Sequence, residues 1–170
     1  MCKIFKFSMA KTWKDSDISI DPIKDQTIAI IGYGIQGDAQ ANNLKDSGLK
    51  VIIGLKEGGS SWGKAVSDGH EVMSVAEACK MADIIHILIP DMVQSQVYKN
   101  EIEPNLSEGN ALAFSHAAAI YWGWIKAPDN VDIIMVAPKG PGSKVRETYL
   151  DGFGTPSIVA VEQDKTGTAW

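Results

Sequence analysis

Gly32, Gly34 and Gly37 stand at G-x-G-x-x-G spacing within Gly32-Tyr33-Gly34-Ile35-Gln36-Gly37, a pattern whose chemistry is the seating of a pyrophosphate on bare backbone. The first glycine permits a tight turn and the second lets a phosphate approach the main chain. The third lets a helix pack closely on a strand, with the anion at the positive helix end. About 20 residues further on, the chain reads Gly54-Leu55-Lys56-Glu57-Gly58-Gly59-Ser60-Ser61-Trp62. A carboxylate first in this loop would bind the ribose 2′-hydroxyl of NAD. Lys56, with the hydroxyls of Ser60 and Ser61, suits the 2′-phosphate of NADP instead. Glu57 is the loop residue that would favour a ribose. The third chemically capable residue is His116, which follows the apolar run Ala111 to Phe114 and Ser115 and precedes small residues. That puts an imidazole able to shuttle a proton on the ligand-facing edge of a sheet. A satisfied structural histidine is the competing reading, and it holds for His70 and for His86, which lies among apolar strand residues.

These residues need elements to hold them. Thr27 to Gly32 reads as a strand, Gly34 to Ser47 as a helix and Val51 to Gly54 as a second strand. The alternation continues with helices at Trp62 to Asp68 and Val75 to Met81, a strand at Asp83 to Ile89 stopped by Pro90, and a helix at Met92 to Asn100. Ala111 to Ser115, Val131 to Ala137 and Ser157 to Val161 complete the strands. Several are near-continuous Ile, Val and Leu, as strands covered by helices on both faces must be. The expected fold is α/β, a doubly wound, mostly parallel sheet of Rossmann type, with ligands beyond the carboxyl ends of the strands.

Composition narrows the function. The 170 residues are 45% hydrophobic, enough for one packed core. With 16 basic and 21 acidic residues the net charge is −5, and no basic cluster supports a nucleic-acid or anionic-membrane surface. The apolar run Ile84 to Ile89, interrupted by His86, falls far short of the roughly 20 residues that cross a bilayer. The first residues lack a secretory pattern, and Met9 is an alternative start. Cys2 and Cys79 form neither a disulfide framework nor a metal pair, which suits structural thiols in a reducing cytoplasm. Residues 1–12 read as an N-terminal extension and 13–170 as the nucleotide-binding domain. Trp122 and Trp124 fit either a core or an exposed interface.

Gly32 to Gly37 followed by Asn43-Leu44-Lys45-Asp46-Ser47-Gly48, then Pro90-Asp91-Met92-Val93-Gln94, Phe114-Ser115-His116 and Val136-Ala137-Pro138-Lys139-Gly140-Pro141-Gly142, resemble the N-terminal domain of ketol-acid reductoisomerases. Gly152-Phe153-Gly154-Thr155-Pro156 and the following Val159-Ala160-Val161 continue the likeness to the end of the chain, in one colinear order. The resemblance implies a Mg²⁺-dependent alkyl shift in an acetohydroxy acid and its reduction by NADPH to a dihydroxy acid, in branched-chain amino-acid biosynthesis. Carried over by position, Tyr33, Gly34, Ile35, Gln36, Lys56, Ser61, Asp91, Met92, Val93, Gln94 and Gly142 look like cofactor contacts, and His116 like the active-site histidine. The family's helical, knotted second domain, which supplies the Mg²⁺ ligands and most of the substrate pocket, has no counterpart in these residues. No metal site is therefore expected here, and Glu147 with Asp151 reads as a solvated helix face. The resemblance also implies a homo-oligomer. It departs at Ile35, where the family usually has Ser, and at Asp38, where it has a basic residue or His. It departs again at Lys56 for Arg, Gly59 for Ser, and Ala117 to Ala119. Ile35, Asp38 and Ala117 to Ala119 would suit the alternative of a non-catalytic NADP-binding module or a degenerate paralogue.

Overall fold

In the computed structural model, which describes residues 11–170, the apolar runs assemble into a seven-stranded sheet. The strands are β1 (Thr27–Ile31), β2 (Lys50–Gly54), β3 (Glu71–Met73), β4 (Ile84–Ile87), β5 (Ala111–Phe114), β6 (Asp132–Pro138) and β7 (Ser157–Gln163), in the order β3-β2-β1-β4-β5-β6-β7. β1 through β6 pair in parallel, and β7 closes the edge antiparallel to β6. The crossovers are α1 (Ile35–Asp46), α2 (Trp62–Ser67), α3 (Val75–Met81), α4 (Asp91–Val97) and α5 (Ala118–Tyr121), with α6 (Gly142–Leu150) leading into β7.

β1 explains why the sheet is wound on both faces. All five of its residues are buried, and consecutive side chains enter opposite cores. Ala29 and Ile31 join Ile52, Ile85, Leu112 and Phe114 on one face. Ile28 and Ile30 join Tyr33, Leu49, Ile53 and Leu55 on the other. The order of strands reverses between β1 and β4, so a crevice opens there beyond their carboxyl ends. The glycine turn leaves β1 into this crevice, and the Pro90-Asp91 turn leaves β4 beside it.

The fold is the expected one, with differences in detail. β3 is a three-residue strand on the sheet's edge, too short to carry a period. β4 ends at Ile87, although the Leu88 N–H still donates to the Ile31 carbonyl at 2.8 Å and Ile89 lies close over Gly32. The helix beginning at Asp91 passes into a π-turn at Tyr98–Ile102 and a 3₁₀ turn at Glu103–Asn105, and does not run unbroken to Asn100. Trp122 and Trp124 are exposed, at 66% and 47%, rather than in the core. Cys79 is a buried free thiol. Cys2 and Met9 lie outside the described residues. Among those residues no helix is long and apolar enough to cross a membrane.

Candidate functional site

Each glycine of the turn has its own physical reason. Gly32 sits at φ +99°, and a Cβ there would stand 2.7 Å from Ile89 Cγ2 and 3.0 Å from the Leu88 carbonyl oxygen. At Gly34, the N-cap of α1, an added Cβ would meet nothing within 4 Å, so that side of the turn is open. A Cβ at Gly37 would lie 2.2 Å from the Gly32 carbonyl oxygen but 3.7 Å from Ile30 Cγ2. The third glycine thus lets α1 close on its own turn more than on the strand.

The Tyr33 side chain is buried. It is 3% exposed, its hydroxyl donates to Asp68 at 2.8 Å, and it accepts from Asn42 Nδ2 at 3.0 Å. Burial pushes its phenol well above the ordinary range, so it stays a donor. Gln36 donates from Nε2 to the Gly140 carbonyl at 3.0 Å and accepts from Gln40, which also donates to Ser115 Oγ at 3.2 Å. Ser115 in turn donates to the Val136 carbonyl at 2.9 Å. Because that bond uses its one hydrogen, His86 must be the donor across the 3.2 Å Nε2 to Oγ contact. Burial pushes His86 down to about 4, so the ring is neutral with its proton on Nε2. This buried row fixes α1 against the ends of β4, β5 and β6, and His86 keeps the structural role read for it.

Beyond those strand ends lies a cleft of about 200 Å³ lined by Gln36, Asp91, Gln94, Ser115, His116 and Pro138, among others. His116 is exposed there. Its Nδ1 accepts from the Ala118 N–H at 3.3 Å and lies 3.7 Å from Asp91 Oδ2. In the neutral ring the proton therefore sits on Nε2. Gln94 is 4% exposed, and its Nε2 donates to the Ile89 carbonyl at 2.9 Å and to Asp91 Oδ1 at 3.1 Å. Both neighbours are acceptors, which fixes the amide orientation and leaves Oε1 buried without a donor.

Other expected site residues fall elsewhere. Met92 (89% exposed) and Val93 form part of the surface of α4 and do not line this cleft. Lys56, Ser60 and Ser61 occupy the loop from β2 to α2, where Gly58 takes φ +67° and the Gly59 N–H bonds back to the Lys56 carbonyl at 2.9 Å. Lys56 and Ser60 are exposed there. Gly142 opens α6 and is buried against α1, where a Cβ would stand 2.1 Å from the Ile35 carbonyl oxygen. Close helix packing accounts for that glycine. Ile35 is exposed at the first position of α1.

Sequence reasoning missed a polar cluster behind the turn. Lys64 Nζ bridges Asp38 Oδ2 at 2.9 Å and Asp68 Oδ2 at 2.6 Å, and lies 5.2 Å from the Tyr33 ring centre. Asn42 Nδ2 donates to Asp38 Oδ1 at 2.7 Å. Asn42 Oδ1 meets His70 Nε2 at 3.1 Å, and burial holds that imidazole below its ordinary range. The i, i+4 spacing of Lys64 and Asp68 was the one available signal. Glu147 pairs with Lys144 at 2.7 Å on an exposed face, as read. Among the described residues, no group of three or more His, Cys, Asp or Glu could hold a metal ion.

A doubly wound sheet with this strand order and a glycine-rich turn at its switch point defines a dinucleotide-binding domain of the Rossmann class. A family model described as acetohydroxy acid isomeroreductase, NADPH-binding domain, matches residues 22–170, and the chain belongs to that family. It is 82% identical over 162 residues to the ketol-acid reductoisomerase (NADP(+)) of Nitrosopumilus maritimus strain SCM1, covering 95% of this chain and 49% of that protein. The corresponding enzyme of Methanocaldococcus jannaschii is 59% identical over 161 residues, again covering 95% of this chain and 49% of its own. Among solved structures, an NADH-preferring ketol-acid reductoisomerase from an uncultured archean superposes with a TM-score of 0.89 at 51% identity, over 91% of this chain and 48% of that one. The chain thus spans about half the length of the relatives it matches.

Proposed function

We propose that this chain is the cofactor-binding part of a ketol-acid reductoisomerase: it holds NADP(H) along the carboxyl edge of the sheet and presents His116 to an acetohydroxy acid. The observation that carries the reading is the meeting of α1's Gln36 with Asp91, Gln94 and His116 at one cleft, directly beyond the glycine turn. The open side of Gly34 and the first N–H groups of α1 take the pyrophosphate. Lys56, Ser60 and Ser61 take the 2′-phosphate, a cation with hydroxyl donors where a ribose-binding carboxylate would otherwise stand. Gln94 Oε1, buried and lacking a donor, accepts from an N–H of the ligand in the cleft. The bound cofactor supplies the hydride. His116 donates a hydrogen bond from Nε2–H to a substrate oxygen, while the Ala118 N–H at Nδ1 holds that tautomer.

Mg²⁺ does not fit the described residues, and no step here runs through it. The family resemblance assigns its ligands and most of the substrate pocket to the part of the relatives that this chain does not match. Cytoplasmic residence and assembly of identical subunits belong to the same proposal, and the buried free thiol of Cys79 fits a reducing compartment. The test is a titration of the chain with NADPH and NADH followed by nucleotide fluorescence. Saturable NADPH binding that Lys56→Ala weakens about tenfold, with His116→Ala without effect on it, is the expected result. Absence of binding to either nucleotide contradicts the proposal.

A further inference from the structure

Asp38 places a carboxylate in the first turn of α1, the helix whose positive end would receive an anion. A free negative charge there would oppose a bound phosphate, yet this one is not free. Lys64 Nζ stands 2.9 Å from Asp38 Oδ2 and 2.6 Å from Asp68 Oδ2, so one cation answers two carboxylates. Lys64 lies three positions beyond Ser61, on the first turn of the helix that the phosphate-reading loop enters. Its ammonium also lies 5.2 Å from the ring centre of Tyr33, the second residue of the glycine turn. Tyr33 donates to the same Asp68, and Asn42 ties Asp38 to the Tyr33 hydroxyl. Turn, α1 and α2 therefore share one charge cluster. Lys45 faces the cluster only through the carbonyls of Asp68 and Gly69.

We infer that Lys64 is a positioning residue for cofactor selectivity: by offsetting one of the two negative charges of Asp38 and Asp68 it lessens, on the adenosine side of the site, the negative potential that would discriminate against NADPH. The inference rests on the NADP(H) reading of the site. NADPH carries a further phosphate of about −1.5 to −2 charge relative to NADH, so unmasking Asp38 penalises NADPH more. Lys64 is half exposed and its ion pairs contribute little to folding, so its replacement leaves the chain folded.

The experiment is a set of NADPH and NADH titrations on wild type, Lys64→Met, Asp38→Asn and the double variant, at low and high salt. Lys64→Met is expected to lower the NADPH over NADH affinity ratio about fivefold, a loss that shrinks as salt is raised. Asp38→Asn in the Lys64→Met background restores at least half of that loss, and Asp38→Asn alone leaves the ratio equal or higher. An unchanged ratio in Lys64→Met overturns the inference. So does a double variant as poor as Lys64→Met alone, since Lys64 would then be a direct phosphate contact. If wild type binds neither nucleotide, the underlying reading fails first and this one with it.

Discussion

Gly32 and Gly34 separate folding from binding two residues apart. Gly32→Ala forces a side chain onto φ +99° and into Ile89, so a loss of about 1–3 kcal/mol in urea unfolding is expected. Gly34→Ala meets no atom, so its unfolding midpoint should stay with wild type while NADPH affinity falls at least about tenfold. Unchanged NADPH affinity in Gly34→Ala would show that the open side of Gly34 has no ligand to admit. At Lys56 the chain offers a phosphate a point charge and no bidentate fork. Lys56→Arg, which can meet phosphate oxygens bidentately, is predicted to tighten NADPH several-fold and to leave NADH unchanged in the same titration.

Among the elements, β1, α1 and β2 were legible because glycine spacing and apolar runs specify a strand, turn and helix locally. The two-sided burial of Thr27–Ile31 was likewise written in its unbroken apolar run. β3 was not legible, since three residues cannot display a period. The direction of β7 was not either, because a strand's alternation is the same parallel or antiparallel. The candidate site divides in the same way. The turn and the loop at Lys56 follow from local motifs, whereas Asp91, Met92, Val93, Gln94 and Gly142 were named through resemblance. The pairing of Lys64 with Asp38 joins two helices and leaves no periodic trace beyond the spacing of Lys64 and Asp68. Gly142 belongs to this scale because it sets the distance between α1 and α6. With a Cβ 2.1 Å from the Ile35 carbonyl oxygen, Gly142→Ala must move α6 or the glycine-turn helix. Denaturant unfolding should register a loss of about 1–3 kcal/mol at unchanged slope. NADPH affinity should fall too, because Gln36 loses its bond to Gly140.

At the scale of the whole molecule, buried histidines tie stability to pH. His86 titrates near 4 when folded against an ordinary 6.5, and His70 is shifted in the same direction. Between those values the unfolded chain binds a proton that the folded one refuses. Stability is therefore complete above about pH 6.5 and declines as pH falls towards 4, by on the order of 3 kcal/mol from His86. Urea midpoints measured across that range should show the decline, and His86→Gln should flatten most of it. The division of labour between halves is testable by joining this chain to the remaining half of its 82%-identical relative. The chimera is expected to oxidise NADPH with an acetohydroxy acid and Mg²⁺, and His116→Ala to cut turnover at least about a hundredfold without weakening NADPH. Central to the account is that a nucleotide lies across the switch point, and amide chemical-shift mapping of the ¹⁵N-labelled chain during NADPH titration tests this most directly. The account predicts saturable shifts concentrated at Gly32 to Gly37, Lys56 to Ser61 and Asp91 to Gln94. Shifts confined to β7 and α6, or none at saturating NADPH, would contradict it.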